Sequence, residues 1–111
     1  MSMQMSRKLT LEERLGGSDG AGGKLGGWTA LGVHWGHVEA RTGRFETGEG
    51  YPRSRVPYRI IIRAVAPDAP SRPKAGQRFR EGNRIYRIRS VADQGERLRY
   101  LVCLADEEVA A

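Results

Sequence analysis

Apolar residues along this chain recur at every second position, and no segment sustains a helical period over three turns. Such alternation puts successive side chains on opposite faces of an extended backbone, which commits the fold to β-strands with a buried side. Leu9 and Leu11 alternate with Lys8, Thr10 and Glu12 in a first strand that ends near Arg14. Leu31, Val33 and Trp35 share the next face, after which Val38 and Ala40 continue on the opposite parity. A one-residue phase change at Gly36-His37 is what a β-bulge would produce, and it predicts a bend there. Val56 to Ala66 reads as a strong strand with Tyr58, Ile60, Ile62 and Ala64 on one face. On its other face Ile61 and Val65 lie among Arg59 and Arg63, which predicts that this side is partly covered as well. Gln77 to Asp93 gives two short strands around the tight-turn residues Glu81-Gly82-Asn83. In the last strand Leu98, Tyr100, Val102 and Leu104 alternate with Arg99, Leu101 and Cys103.

Five to six strands in 111 residues predict one all-β domain over 1–111, a small antiparallel β-barrel or sandwich with 1–6 and 107–111 as flexible tails. Closure into a barrel would also remove the exposed edges of so many short strands.

The connections differ in character. Gly16 to Trp28, GGSDGAGGKLGGW, sets a lysine behind glycines and invites comparison with a phosphate-binding loop. That motif requires a first glycine where Ser18 stands and a hydroxyl where Leu25 stands, so it fails at both ends. The stretch reads instead as a flexible hairpin tip around the turn pair Asp19-Gly20. Thr42 to Arg55 holds three glycines, a proline and mixed charge without periodicity, and is expected to be a long exposed loop between the second and third main strands. Long loops in compact domains tend to carry function, so it is the first candidate site. Pro67 to Gly76, with three prolines, is a stiff connector.

Catalytic chemistry finds little purchase. His34 and His37, the sole histidines, are three apart on a strand and point to opposite faces unless a bulge realigns them, which argues against a metal pair. Asp19, Glu49, Asp68, Asp93 and Asp106 are scattered over turns and termini, and no nucleophile, base and orienting group can be assembled. An enzyme is not expected, nor a cofactor or metal. The single cysteine, Cys103, excludes an internal disulfide and reads as a small buried hydrophobe. The sequence MSMQMSRKL has no apolar core for a signal peptide and no stretch suits a membrane span, so synthesis in the cytoplasm is expected and a membrane partner is not.

The net charge is +6, carried mainly by arginine. Arg53, Arg55, Arg59, Arg63, Arg78, Arg80, Arg84, Arg87 and Arg89 are the strongest electrostatic feature. They serve either as the solvated faces of strands or as a basic surface for phosphate or an acidic protein. Phe45 and Tyr51 lie in the long loop, whereas Phe79 and Tyr86 belong to strands and are expected in the core, so base-specific recognition is not indicated.

In order, these landmarks resemble the phage head closure, or head-tail joining, family. The resemblance rests on the arginine-ended first strand, the turn Asp19-Gly20-Ala21-Gly22-Gly23, Trp28, the strand centred on Trp35 with Val38, and the loop opening Thr42-Gly43-Arg44. It continues through Tyr58-Arg59-Ile60-Ile61-Ile62-Arg63 and Gly82-Asn83-Arg84-Ile85-Tyr86-Arg87-Ile88, and so extends from about Arg7 to Glu108. The ending YLVCLADEEVAA looks most like the versions carried by gene transfer agents of alphaproteobacteria. The resemblance implies a β-barrel subunit of a ring, a hexamer rather than a dodecamer, between an adaptor ring and a tail terminator ring in the particle neck. It implies a stopper that keeps packaged double-stranded DNA from leaking, through nonspecific contact, and that receives the tail. The loop residues Arg44, Phe45, Glu46, Glu49, Tyr51, Arg53 and Arg55 would then face the channel, and the hairpin residues Asp19, Gly20, Gly22, Gly23 and Lys24 would touch a neighbour. Gly36 stands where the family more familiarly has alanine, and Gly26-Gly27 makes the hairpin slack. The alternative is a free basic barrel that binds nucleic acid nonspecifically.

Overall fold

The structure, a computed structural model, describes residues 4–15, 27–41, 55–94 and 99–108. It is all-β: β1 (Arg7–Arg14), β2 (Trp28–Ala40), β3 (Arg55–Arg63), β4 (Arg78–Glu81), β5 (Arg84–Gln94) and β6 (Tyr100–Glu108). These six strands close into an antiparallel barrel in the order β1-β2-β3-β6-β5-β4. Closure gives every strand a neighbour on both sides over part of its length, which is how so short a chain protects its backbone hydrogen bonds.

The period-two pattern turns into a filled interior. Leu9 and Leu11 from β1, Ile60 and Ile62 from β3, Phe79 from β4, Tyr86 and Ile88 from β5, and Leu101, Cys103 and Ala105 from β6 form one buried cluster. Fully burying such side chains stabilises by about 1.5–3 kcal/mol each. Cys103 lies within it, and burial pushes its thiol up to about 12. Gly82, at a φ of 65°, makes the β4–β5 turn in a conformation that favours glycine.

β2 departs from the expected phasing. The inward residues are His34, Gly36 and Val38, while Val33 and Trp35 point outward. No phase change occurs at Gly36-His37, because Gly36 to Ala40 pair without interruption with Ile62 to Tyr58. The bulge instead sits at Leu31, where Leu11 and Glu12 pair with Gly32 and Ala30. Packing decides the phase: a Cβ on Gly36 would come 2.8 Å from the Ile61 carbonyl oxygen and 2.9 Å from Ile62 Cγ2. Only a residue without a side chain fits that crowded interior position, and the apolar neighbours at Val33 and Trp35 are left outside. A second irregularity, at Arg89, falls between the Ile88–Ala105 and Ser90–Leu104 pairs.

Two other boundaries move. β3 stops at Arg63, and Ala64 N–H donates to the Arg99 carbonyl at 2.9 Å outside the strand. Glu107 and Glu108, expected in a flexible tail, are instead the last residues of β6, paired with Val56 and Arg55. Their partners on β5 are Tyr86 and Ile85. The proline-rich connector straps the barrel end where β1 meets β2. Pro73 is fully buried, His34 Nε2 donates to the Ser71 carbonyl at 2.7 Å, and Arg72 Nη1 donates to the Val65 carbonyl at 3.0 Å.

Candidate assembly surfaces

At the opposite end the interior turns polar. Arg7, Glu81, Arg84, Tyr86, Tyr58 and Glu107 share the inward parity of their strands and close this mouth. Arg7 Nη2 donates to Glu81 Oε1 at 2.8 Å, and Tyr86 Oη donates to the same oxygen at 3.2 Å. Arg84 grips Glu107 through Nε and Nη2, at 2.8 and 3.1 Å, and Nη2 also reaches Tyr58 Oη at 3.1 Å. The Tyr58 and Tyr86 rings meet edge to face with centroids 5.2 Å apart. Hydrogen bonds from Arg7 and Arg84 hold the Glu81 and Glu107 carboxyls below their ordinary range, while burial pushes the Tyr86 phenol up. Each charge is matched by two-pronged contact, the geometry in which guanidinium and carboxylate bind most strongly. β2 ends at Ala40 and β3 begins at Arg55 at this mouth, so the 42–54 connection leaves from and returns to a locked rim.

The outside of the barrel has two unlike walls. On the wall of β1, β4 and β5, Glu12 accepts from Arg78 Nε at 2.7 Å and lies 3.8 Å from Arg80 Nε. Reaching across to β6, Arg87 pairs with Glu108 at 2.7 Å and Arg89 with Asp106 at 3.4 Å. Trp28 lies beneath three guanidiniums, those of Arg78 at 4.1 Å and of Arg14 and Arg87 at 5.6 Å from its ring centroid. Most of the strand arginines are thus committed within the molecule: Arg84 at the mouth, Arg78, Arg80, Arg87 and Arg89 here, and Arg59 beside Glu39 at 3.6 Å.

On the wall of β2, β3 and β6, apolar outward residues stand beside an ion-paired cluster of His37, Glu39 and Arg59. Val33 is 49% and Trp35 54% exposed. Ile61 faces the same way but is only 5% exposed, packed between its neighbours on β2 and β6. On β6, Tyr100, Val102 and Leu104 face outward opposite Arg63, Ile61 and Arg59, alternating with the buried Leu101, Cys103 and Ala105. Register sets Lys8 opposite Trp35, while Arg63 follows Ile62, the partner of Gly36, and so flanks Trp35 on the other side. Ion pairs among the described residues engage Arg7, Arg59, Arg72, Arg78, Arg80, Arg84, Arg87 and Arg89, and engage neither Lys8 nor Arg63.

The two histidines fall on opposite faces. His34 is buried against the strap and, in edge contact with Phe79, 6.1 Å between centroids, whereas His37 lies outside, 3.6 Å from Glu39. The groups Arg44, Phe45, Glu46, Glu49, Tyr51 and Arg53, and Asp19, Gly20, Gly22, Gly23 and Lys24, lie outside the described residues, as does the side chain of Arg55. Sequence reasoning missed both the mouth network and the exposed Trp35 wall. The signal for the first was present in the inward parity of Arg7, Glu81, Arg84 and Glu107 with the core residues beside them.

Among the described residues no helix is long and apolar enough to cross a membrane. No curated protein matches the chain. A chain from a solved structure titled as the virion of a native gene transfer agent particle is similar over 100% of this chain and 99% of its own, with 41% identity and a TM-score of 0.76. The family model for the phage head completion protein matches residues 2–108. With that match over nearly its whole length, on a closed antiparallel barrel, the chain belongs to the phage head completion protein family.

Proposed function

We propose that this chain is the stopper subunit of a tailed phage-like particle or gene transfer agent. Made in the cytoplasm, it assembles as a ring, six-membered by preference, below the portal and adaptor. There it retains packaged double-stranded DNA and docks the tail terminator. Family membership and full-length similarity to a gene transfer agent virion chain support a structural role in head completion. The observation that carries the finer reading is the position of the 42–54 connection, which starts and ends on a rim fixed by the Arg7–Glu81 and Arg84–Glu107 pairs. A stopper needs a rigid frame that presents a long loop to the channel. Arg44, Phe45, Glu46, Glu49, Tyr51, Arg53 and Arg55 supply that loop, where mixed charge gives a weak hold on phosphate that ejection can overcome. The connection 16–26 leaves from the other end, where Asp19, Gly20, Gly22, Gly23 and Lys24 meet a neighbouring subunit.

The free nucleic-acid-binding alternative is less favoured, because Arg59, Arg78, Arg80, Arg84, Arg87 and Arg89 each lie beside a carboxylate. The test is nuclease-protected DNA together with electron micrographs, from particles produced with and without the chain. Filled or leaking heads without tails are expected in its absence. Normal tailed particles would remove the proposed role.

A further inference from the structure

A barrel ordinarily keeps its outward positions polar, and a half-exposed tryptophan beside a half-exposed valine on one strand is uncommon. Here Val33 and Trp35 stand together on the outward row of β2, and the paired Ile61 and Val102 of β3 and β6 lie one row further on, beyond His37. The rim of this patch is cationic. Lys8 and Arg63 bracket Trp35 in one row of the sheet, and neither has a carboxylate among the described residues.

We infer that this wall is a docking surface for a different protein of the particle, one presenting an apolar centre rimmed by carboxylates. This rests on the proposed neck function and names the kind of partner it requires. Tryptophan and arginine at the centre of a well-packed patch are the residue types that dominate binding energy at protein interfaces. The occupant's charge follows from the rim. A second copy of this chain, itself at +6, would set cations against cations, since among the described residues Glu39 on this wall and the carboxylates opposite are engaged by Arg59, Arg78, Arg87 and Arg89. Duplex DNA would satisfy Lys8 and Arg63 but would leave Val33, Val102 and Leu104 against a polar backbone. An acid-rimmed protein surface satisfies both parts of the patch.

The test uses purified particles treated with a carbodiimide, which joins an amine directly to a carboxylate, followed by peptide mass spectrometry. Lys8 joined to an Asp or Glu of another protein is the expected result, with Trp35 oxidised at least about tenfold more slowly in particles than in the free chain. Lys8 joined only to a second copy, or unmodified beside an equally oxidisable Trp35, would overturn the assignment. Arg63→Glu and Lys8→Glu chains should keep the wild-type unfolding midpoint and enter particles about tenfold less, with Arg63→Lys and Lys8→Arg retaining entry. Entry undiminished by both charge reversals would also overturn it. The proposed function fails separately, if the chain is absent from particles and its deletion leaves them intact.

Discussion

The two outer walls of the barrel are built from the same kinds of strand but spend their side chains differently. On the wall of β1, β4 and β5, arginines and carboxylates neutralise one another, and Trp28 is roofed by guanidiniums. On the wall of β2, β3 and β6, Val33 and Trp35 stand in solvent, and the cations that flank Trp35, Lys8 and Arg63, lack partners among the described residues, although Arg59 nearby pairs with Glu39. One wall is finished within the monomer and serves stability. The other is unfinished and serves assembly, so substitutions on the two should separate folding from function.

The largest effect is expected on the finished wall. Glu12→Ala leaves Arg78 and Arg80 facing each other without their shared carboxylate and should cost about 2–4 kcal/mol in urea unfolding. A loss under about 0.5 kcal/mol would mean that this wall is as solvated as the other. Gly36→Ala comes next. Its Cβ must push back the Ile61 backbone, so a loss of about 1–3 kcal/mol is expected, measured by thermal unfolding. The mouth gives a pH signature of smaller size. Glu81 and Glu107 titrate below the ordinary 4.5 in the folded chain, so the unfolded state takes up protons first as pH falls. Their stabilisation is complete above about pH 5 and lost as pH drops through the folded values, and Glu81→Gln should flatten that decline. The smallest effect on folding belongs to the unfinished wall. Val33→Thr or Trp35→Ser should change stability by no more than about 0.5–1 kcal/mol.

Most of the fold is legible in the sequence because the inward rows of β1, β3, β4 and β5 are apolar away from the mouth, with outward neighbours that are mainly charged. Phe79 and Tyr86 are core residues on that reading and in the structure. The alternation rule fails where both parities are apolar or where the apolar one faces out. In β6, Leu101 and Cys103 differ little in hydrophobicity from Val102 and Leu104, so only barrel closure decides which pair is inside. In β2 the pattern misleads outright. Val33 and Trp35 share an apolar face, yet it turns outward, and the interior positions next to them go to a histidine and a glycine. Glycine is chosen there by crowding from Ile61 and Ile62, and histidine by the carbonyl of Ser71, neither of which is local in sequence. The strand whose local pattern disagrees with its burial is also the one that carries the candidate interface, as expected where a surface is kept for a partner rather than for the fold.

The central claim is that the Trp35 wall is an assembly surface on an otherwise self-sufficient barrel. Its most direct test returns Trp35→Ser in place of the wild-type chain to a producing strain that lacks it, and counts tailed particles by electron microscopy. A folded variant with unchanged unfolding midpoint and few or no tailed particles is the predicted result. Tailed particles in wild-type number would contradict the claim, and would make the exposed tryptophan an incidental feature of the barrel.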